Sequence, residues 1–272
     1  MKKPPGTTAE MRDSRPILIL DSGVGGLTVL REVRFKLPFE RLVYVVDDAG
    51  FPYGAWEEEP LTARLIGLVD ALIEAHDPKA ILIACNTAFT LAGKALRDAF
   101  PTRVFVGTVP AIKPAARRTR SGLISVLATP GTVRRAYTRD LIDTHARECH
   151  VRLVGSDRLA AMSEDHLRGE DVGDAALLAE IQDCFLEDGA RRTDIVVLAC
   201  THYPFLVNRF REVAPWPVDW IDPAEAIARQ LARVVAEVAD ARDREAPDTA
   251  IFTSGTCSAA SHQLMAGFGL LV

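Results

Sequence analysis

The chain reads as an α/β protein of two pseudo-symmetric lobes. Each lobe is a mostly parallel sheet flanked by helices, with a functional cleft between them. Three observations predict this. Short apolar runs of β type alternate with longer stretches of helical spacing along most of the 272 residues. Two segments are near copies of each other, Ile81-Leu82-Ile83-Ala84-Cys85-Asn86-Thr87 and Val196-Val197-Leu198-Ala199-Cys200-Thr201-His202. The composition, 48% hydrophobic and 25% charged, is that of an ordinary globular protein with enough chain for a large core.

The elements follow in order. Ile17 to Leu20 is an apolar strand ending at Asp21, with a glycine-rich turn behind it and a helix from Leu27 to Leu37. Arg41 to Val46 is the next strand and ends in Asp47-Asp48. Leu61 to Ala75 has helical spacing and is stopped by Asp77-Pro78. Ile81 to Ala84 is a strand, Ala88 to Phe100 a helix and Val104 to Val106 a strand. The second half restarts with a strand over Leu123 to Leu127 and a helix over Val133 to His145. Val151 to Val154 is a strand, Ala175 to Asp188 a helix, and Ile195 to Ala199 a strand. Helices over Phe205 to Val213 and Ala224 to Val238 complete the pattern. Residues 1–15, polar with Pro4-Pro5-Gly6, read as a disordered leader. The first lobe is expected over 16–108 plus 218–272, and the second over 109–217.

The bulk properties narrow the function classes. A net charge of -5 gives no reason to expect nucleic acid or an anionic membrane as partner. Local basic runs such as Arg117-Arg118-Thr119-Arg120 read as solvated surface. No stretch approaches the roughly 18 apolar residues of a membrane helix. The five cysteines (Cys85, Cys149, Cys184, Cys200 and Cys257) are odd in number and widely spaced, without a C-x-x-C pair. That argues against a disulfide framework and a zinc knuckle, so no metal is expected and the chain reads as cytoplasmic with reduced thiols.

Cys149, Cys184 and Cys257 read as inert small hydrophobes. Cys85 and Cys200 differ because their context is duplicated. Each ends a buried strand at the mouth of a helix, where open α/β sheets bind ligands. A helix N-terminus lowers a thiol pKa from its free value of about 8.5. Two such thiols from two similar halves can face one substrate from opposite sides. The turn Asp21-Ser22-Gly23-Val24-Gly25-Gly26-Leu27-Thr28 invites a dinucleotide reading, but Thr28 stands where the third glycine belongs. A cradle of backbone N–H groups for a small carboxylate fits better, beside the plainer reading of a tight turn with glycines for packing. His202, two residues after Cys200, is the best-placed histidine for proton transfer. Pro52-Tyr53-Gly54 is a candidate substrate-facing turn.

These residues resemble those of the glutamate racemases, a cofactor-independent family within the aspartate/glutamate racemase superfamily. The resemblance runs from Leu18 to about Ala228 and extends weakly into Phe252-Thr253-Ser254-Gly255. It is carried by Asp-Ser-Gly-Val-Gly-Gly-Leu-Thr-Val at 21–29, Pro-Tyr-Gly at 52–54, Ala-Cys-Asn-Thr-Ala at 84–88, Leu-Ala-Thr-Pro-Gly-Thr-Val at 127–133 and Ala-Cys-Thr-His-Tyr-Pro at 199–204. The cysteine motifs alone indicate the wider superfamily, and the first two segments narrow it.

The resemblance implies that Cys85 and Cys200 are the acid/base thiols, assisted by Asp21 and His202. It implies that Ser22, Tyr53, Gly54, Asn86, Thr87, Thr132 and Thr201 hold the substrate, and that Glu164 is an auxiliary acid. It further implies no cofactor, glutamate as the substrate, D-glutamate supplied to peptidoglycan, and homodimers as common assemblies. One departure is Asp48, where the family usually carries threonine. Without an electron sink, the carbanion-like state needs preorganised donors in a water-poor cleft. The backbone N–H groups after Ser22, Asn86 and Thr201 are the candidates. Other readings stay open at this point: aspartate racemase or another superfamily enzyme with the same cysteine pair, and a non-catalytic binding module for an acidic amino acid or nucleotide.

Overall fold

The computed structural model describes residues 13–235 and 246–272. All but the last three residues of the expected leader, and the expected helix end at 236–238, lie outside them. The first half runs β1 (Ile17–Asp21), α1 (Leu27–Lys36), β2 (Leu42–Val46), α2 (Glu58–His76), β3 (Ala80–Ile83), α3 (Asn86–Ala99) and β4 (Phe105–Gly107). The second runs α4 (Ile112–Arg118), β5 (Leu123–Ala128), α5 (Pro130–Arg134), α6 (Ala136–His145), β6 (His150–Gly155), α7 (Leu159–Leu167) and α8 (Asp174–Ile181). It continues through the short strands β7 (Glu187–Asp188) and β8 (Arg191–Arg192) to β9 (Ile195–Ala199), α9 (Val207–Val213) and β10 (Asp219–Ile221). The chain closes with α10 (Ala224–Val234), β11 (Thr249–Phe252) and α11 (Ala259–Gly267).

Two parallel sheets result. The first has the order β11-β2-β1-β3-β4 and the second the order β10-β9-β5-β6. Their central strands are continuous apolar runs because both faces are covered. Alternate residues of β1 serve opposite cores: Ile17 and Ile19 pack with α1 and α10, while Leu18 and Leu20 pack with α2 and α3. The second sheet is sandwiched likewise, with Tyr203, Leu206 and Phe210 on one face and Ile112 and Ala115 on the other. Each fully buried side chain of this size contributes about 1.5–3 kcal/mol.

Local chemistry explains the element ends. α2 carries Glu58 and Glu59 in its first turn and stops at Asp77, whose φ of 39° is left-handed, just before Pro78. The single helix expected over Val133 to His145 is two. Arg135 is extended between α5 and α6, and the Thr138 hydroxyl donates to the Thr132 carbonyl at 2.7 Å across the break. The helix expected to reach Asp188 ends at Ile181, and Cys184 lies in a 3-10 turn rather than inside that helix. Gly189-Ala190 instead turns the β7–β8 hairpin, with Gly189 at a φ of 60°.

The sequence reading passed over α4, α7, β10, β11 and α11. β10 pairs with β9 in the second sheet, whereas the sequence places residues from 218 onward in the first lobe. α10 packs on α1, and β11 pairs with β2 in the first sheet. Among the described residues no helix is long and apolar enough to cross a membrane.

Candidate active site

Both cysteines stand at points where the strand order reverses. In the first sheet the chain passes from β1 to β2 on one side, then to β3 on the other. The carboxyl ends of β1 and β3 therefore open a crevice, and Asp21-Ser22 and Cys85 emerge there. In the second sheet β6 and β9 flank β5 in the same way, so Thr129 and Cys200 emerge side by side. The duplicated segments are equivalent positions in two half-structures that face each other.

Around Cys85, the Ser22 hydroxyl lies 3.7 Å from the thiol. The backbone N–H of Ala88, in the first turn of α3, points at the sulfur. The sequence argument expected this helix end to lower the thiol pKa. The net direction is the opposite: burial pushes Cys85 well up, and the nearby Asp21 charge adds to it. Cys200 is close enough across the cleft to contribute in the same sense.

Asp21 is fully buried and tethers the glycine loop. It accepts from the Ser22 N–H at 2.7 Å, from the Gly26 N–H, and from the Thr201 hydroxyl of the opposite lobe at 3.0 Å. Burial raises its pKa, against the His202 charge and these hydrogen bonds. The Ser22 and Gly26 amides are thus spent on Asp21, and the Val24 amide donates to Glu164 at 3.1 Å. Those three amides serve the loop and the lobe contact rather than an open anion cradle. A Cβ on Gly25 would sit 2.5 Å from His202 Nδ1 and 2.7 Å from Thr201 Oγ1, so the loop is glycine where the second lobe closes on it.

Around Cys200, His202 Nδ1 lies 3.8 Å from the sulfur, and its Nε2 meets Glu164 Oε1 at 3.0 Å. The buried Ser163 hydroxyl donates to the His202 carbonyl at 2.8 Å. The Phe51 ring from the first lobe lies 5.6 Å from the imidazole. Burial disfavours an imidazolium here, but the hydrogen bonds with Cys200 and Glu164 outweigh it and hold the His202 pKa well above its ordinary value. Burial likewise opposes charge on Glu164, and its bonds from His202 and Val24 hold its pKa below the ordinary value. Glu164 thus reaches His202 from α7, a helix the sequence pattern does not reveal.

A patch of hydroxyls bridges the two lobes. Thr87 Oγ1 is 2.9 Å from Thr129 Oγ1 and 3.5 Å from Thr132 Oγ1. Gly54 lies against Thr129. Sequence reasoning names Thr87, Thr132 and Gly54 but not Thr129, whose place at the end of β5, beside Cys200, is the available signal. Tyr53 is buried, and its hydroxyl donates to Asp47 rather than into the cleft. The Asn86 side chain is 2% exposed, and neither of its polar atoms has a hydrogen-bond partner among the described residues. A buried unpaired amide costs about 1–3 kcal/mol unless something bonds to it. Asp48 receives the Ser254 N–H at 2.9 Å and its hydroxyl at 2.5 Å, so the departure from the family's threonine anchors the end of β11. Among the described residues no group of three or more His, Cys, Asp or Glu side chains is placed to hold a metal ion.

Comparisons with known proteins agree with this geometry. The family model described as Asp/Glu/Hydantoin racemase matches residues 28–231. The chain is 61% identical over 258 residues to a glutamate racemase of Agrobacterium fabrum, covering 95% of this chain and 94% of that protein. It is 58% identical over 275 residues to a glutamate racemase of Brucella ovis, covering 99% of both. The crystal structure of Escherichia coli glutamate racemase in complex with L-glutamate and the activator UDP-MurNAc-ala superimposes with a TM-score of 0.82 at 36% identity, over 94% of this chain and 96% of that one. With two lobes, paired cysteines and these relatives, the chain belongs to the glutamate racemase branch of the Asp/Glu/hydantoin racemase family and is a racemase.

Proposed function

We propose that the chain interconverts L-glutamate and D-glutamate by cofactor-independent 1,1-proton transfer between Cys85 and Cys200, and that it supplies D-glutamate for peptidoglycan in the cytoplasm. The observation that carries this is the pair of buried thiols at equivalent strand ends of two facing half-structures. Glutamate is the substrate named for the relatives described above, and the cell-wall role follows from that substrate. The five cysteines, all free, suit a reducing compartment.

In this mechanism one thiolate takes the Cα proton, breaking the C–H bond and leaving its electron pair in a planar carbanion-like state. The opposite thiol delivers a proton to the other face. The configuration inverts, and the two sulfurs exchange protonation states, so they titrate as a coupled pair. Burial and Asp21 favour Cys85 as a thiol. The ammonium group of an amino-acid substrate brings the positive charge that favours its thiolate. His202, kept protonated by its contacts with Cys200 and Glu164, is the proton partner of the second sulfur. Asp21 acts from behind, holding Ser22 against Cys85 and Thr201 against the loop. Asn86 and the Thr87–Thr129–Thr132 hydroxyls supply donors for the substrate carboxylates.

The test is to incubate the reduced, folded protein with L-glutamate in D2O, following optical rotation and deuterium at Cα by NMR. The expected result is decay of rotation to zero with deuterium entering Cα. Retained rotation without exchange overturns the assignment. Turnover of aspartate without turnover of glutamate moves it to the aspartate enzymes.

A further inference from the structure

The loop between β2 and α2 is wound around one ion pair, with its carboxylate buried and its guanidinium partly exposed, that the proton-transfer scheme does not use. Asp47, at the carboxyl end of β2, is completely buried. Arg64, on α2, grips it with a two-pronged contact, Nε to Oδ2 at 2.7 Å and Nη2 to Oδ1 at 2.5 Å. The same carboxylate accepts the Tyr53 hydroxyl, and the Thr253 hydroxyl of the segment after β11 at 2.6 Å. Burial works against its charge, and the Arg64, Thr253 and Tyr53 hydrogen bonds together hold its pKa below the ordinary value.

The backbone is folded tightly onto this pair. The Asp47 carbonyl accepts the Gly50 N–H at 3.0 Å, and Trp56 Nε1 donates to the Gly50 carbonyl at 2.9 Å. The Arg64 guanidinium lies 5.8 Å from the centre of the Trp56 ring. A Cβ on Gly50 would sit 2.6 Å from Arg64 Nε, 2.7 Å from Asp47 Oδ2 and 2.9 Å from the Tyr53 ring. The turn Pro52–Gly54 thus has its position set from behind by one cation and its counter-ion.

We propose that Arg64 is a positioning residue: acting through Asp47 and Tyr53, it holds the Pro52–Gly54 turn against Thr129 of the opposite lobe and so sets how tightly substrate binds. The proposal rests on the reading that Tyr53 and Gly54 face the substrate. Tyr53 spends its hydroxyl on Asp47, so what it offers the cleft is the placement of its turn. Only a guanidinium supplies two parallel donors to one carboxylate, so lysine is a partial substitute. The Thr253 contact ties the end of β11 to the same carboxylate and makes that strand part of the support.

The experiment measures kcat, KM and Tm for Arg64→Met, Arg64→Lys and Thr253→Val, with wild type alongside. Because the two enantiomers are equal in energy, kcat/KM must agree in both directions, and each variant is read both ways. Arg64→Met is expected to raise KM about tenfold with kcat within about threefold. Arg64→Lys is expected to recover part of that loss. Adding Tyr53→Phe to Arg64→Met is expected to change KM less than it does in wild type, because the two act through one carboxylate. A folded Arg64→Met protein with wild-type KM, or strict additivity with Tyr53→Phe, overturns the proposal. Should Arg64→Met fail to fold, Thr253→Val removes one donor and no charge, and an unchanged KM there overturns it equally. Absence of glutamate turnover in wild type would instead defeat the activity reading, which separates the two failures.

Discussion

Replacing Gly25 with alanine adds one methyl at the seam between the lobes. Gly25 is not in the left-handed region, so alanine meets no backbone penalty there. The obstacle is the opposite lobe, since the added Cβ would lie 2.5 Å from His202 Nδ1 and 2.7 Å from Thr201 Oγ1. Normal contact needs about 3.5 Å, so the lobes must part by about 1 Å. A displacement of that size in a catalytic constellation costs about 10²-fold in rate. The expected result for Gly25→Ala is therefore a fall of about 10² in kcat/KM for glutamate racemisation. Thermal stability should change little, because separating the lobes leaves the core of each intact. Gly67→Ala is the control: a Cβ there meets nothing within 4 Å, and in a helix it is worth up to about 1 kcal/mol in stability. Initial rates by circular dichroism, with Tm by differential scanning, decide it. Wild-type turnover in Gly25→Ala would show that the contact of His202 and Thr201 with the loop is not needed for catalysis.

Cys85→Ala and Cys200→Ala should each remove racemisation in both directions by at least about 10³-fold, and full activity in either one would end the two-thiol scheme. Glu164→Gln takes the charged acceptor from both His202 and Val24, and should lower activity at least about tenfold; polarimetry across pH checks it. The same pair has a pH signature in stability. The Glu164 contribution is present above its unfolded value near 4.5 and is lost as pH falls through its lowered native value. The His202 contribution is present below 6.5 and is lost as pH rises through its raised native value. Glu164→Gln should shrink the acid limb of the Tm–pH profile, which Asp47 and Asp194 share through their own lowered values, and an unchanged profile would count against the ion pair. Leu82→Ala, in the middle of β3, should cost about 2–5 kcal/mol by urea denaturation, as for a fully buried leucine.

The strands that carry the thiols were legible because buried parallel strands are continuous apolar runs. The edge strands β10 and β11 have three and four residues, too short to stand out from loop, and their partners lie far along the chain. Helix α7 was missed because its first turn offers no capping side chain and its pattern is only weakly amphipathic. Glu164 was therefore named from resemblance before anything located it.

Residue types and spacing alone determined the alternation of strand and helix, the duplicated cysteine units and the glycine turn, because each depends on neighbours in the chain. Tertiary structure decided what depends on the opposite lobe. The helix end near Cys85 promised a lowered pKa, but burial and Asp21 reverse the sign. The glycine-turn amides of Ser22, Val24 and Gly26 are spent on Asp21 and Glu164, a commitment visible only once the loop and α7 meet. Thr129, Asp47 and Arg64 join the site or its support through contacts made across space. Desolvation and hydrogen-bond partners are properties of the packed surroundings, and no local window of sequence contains them.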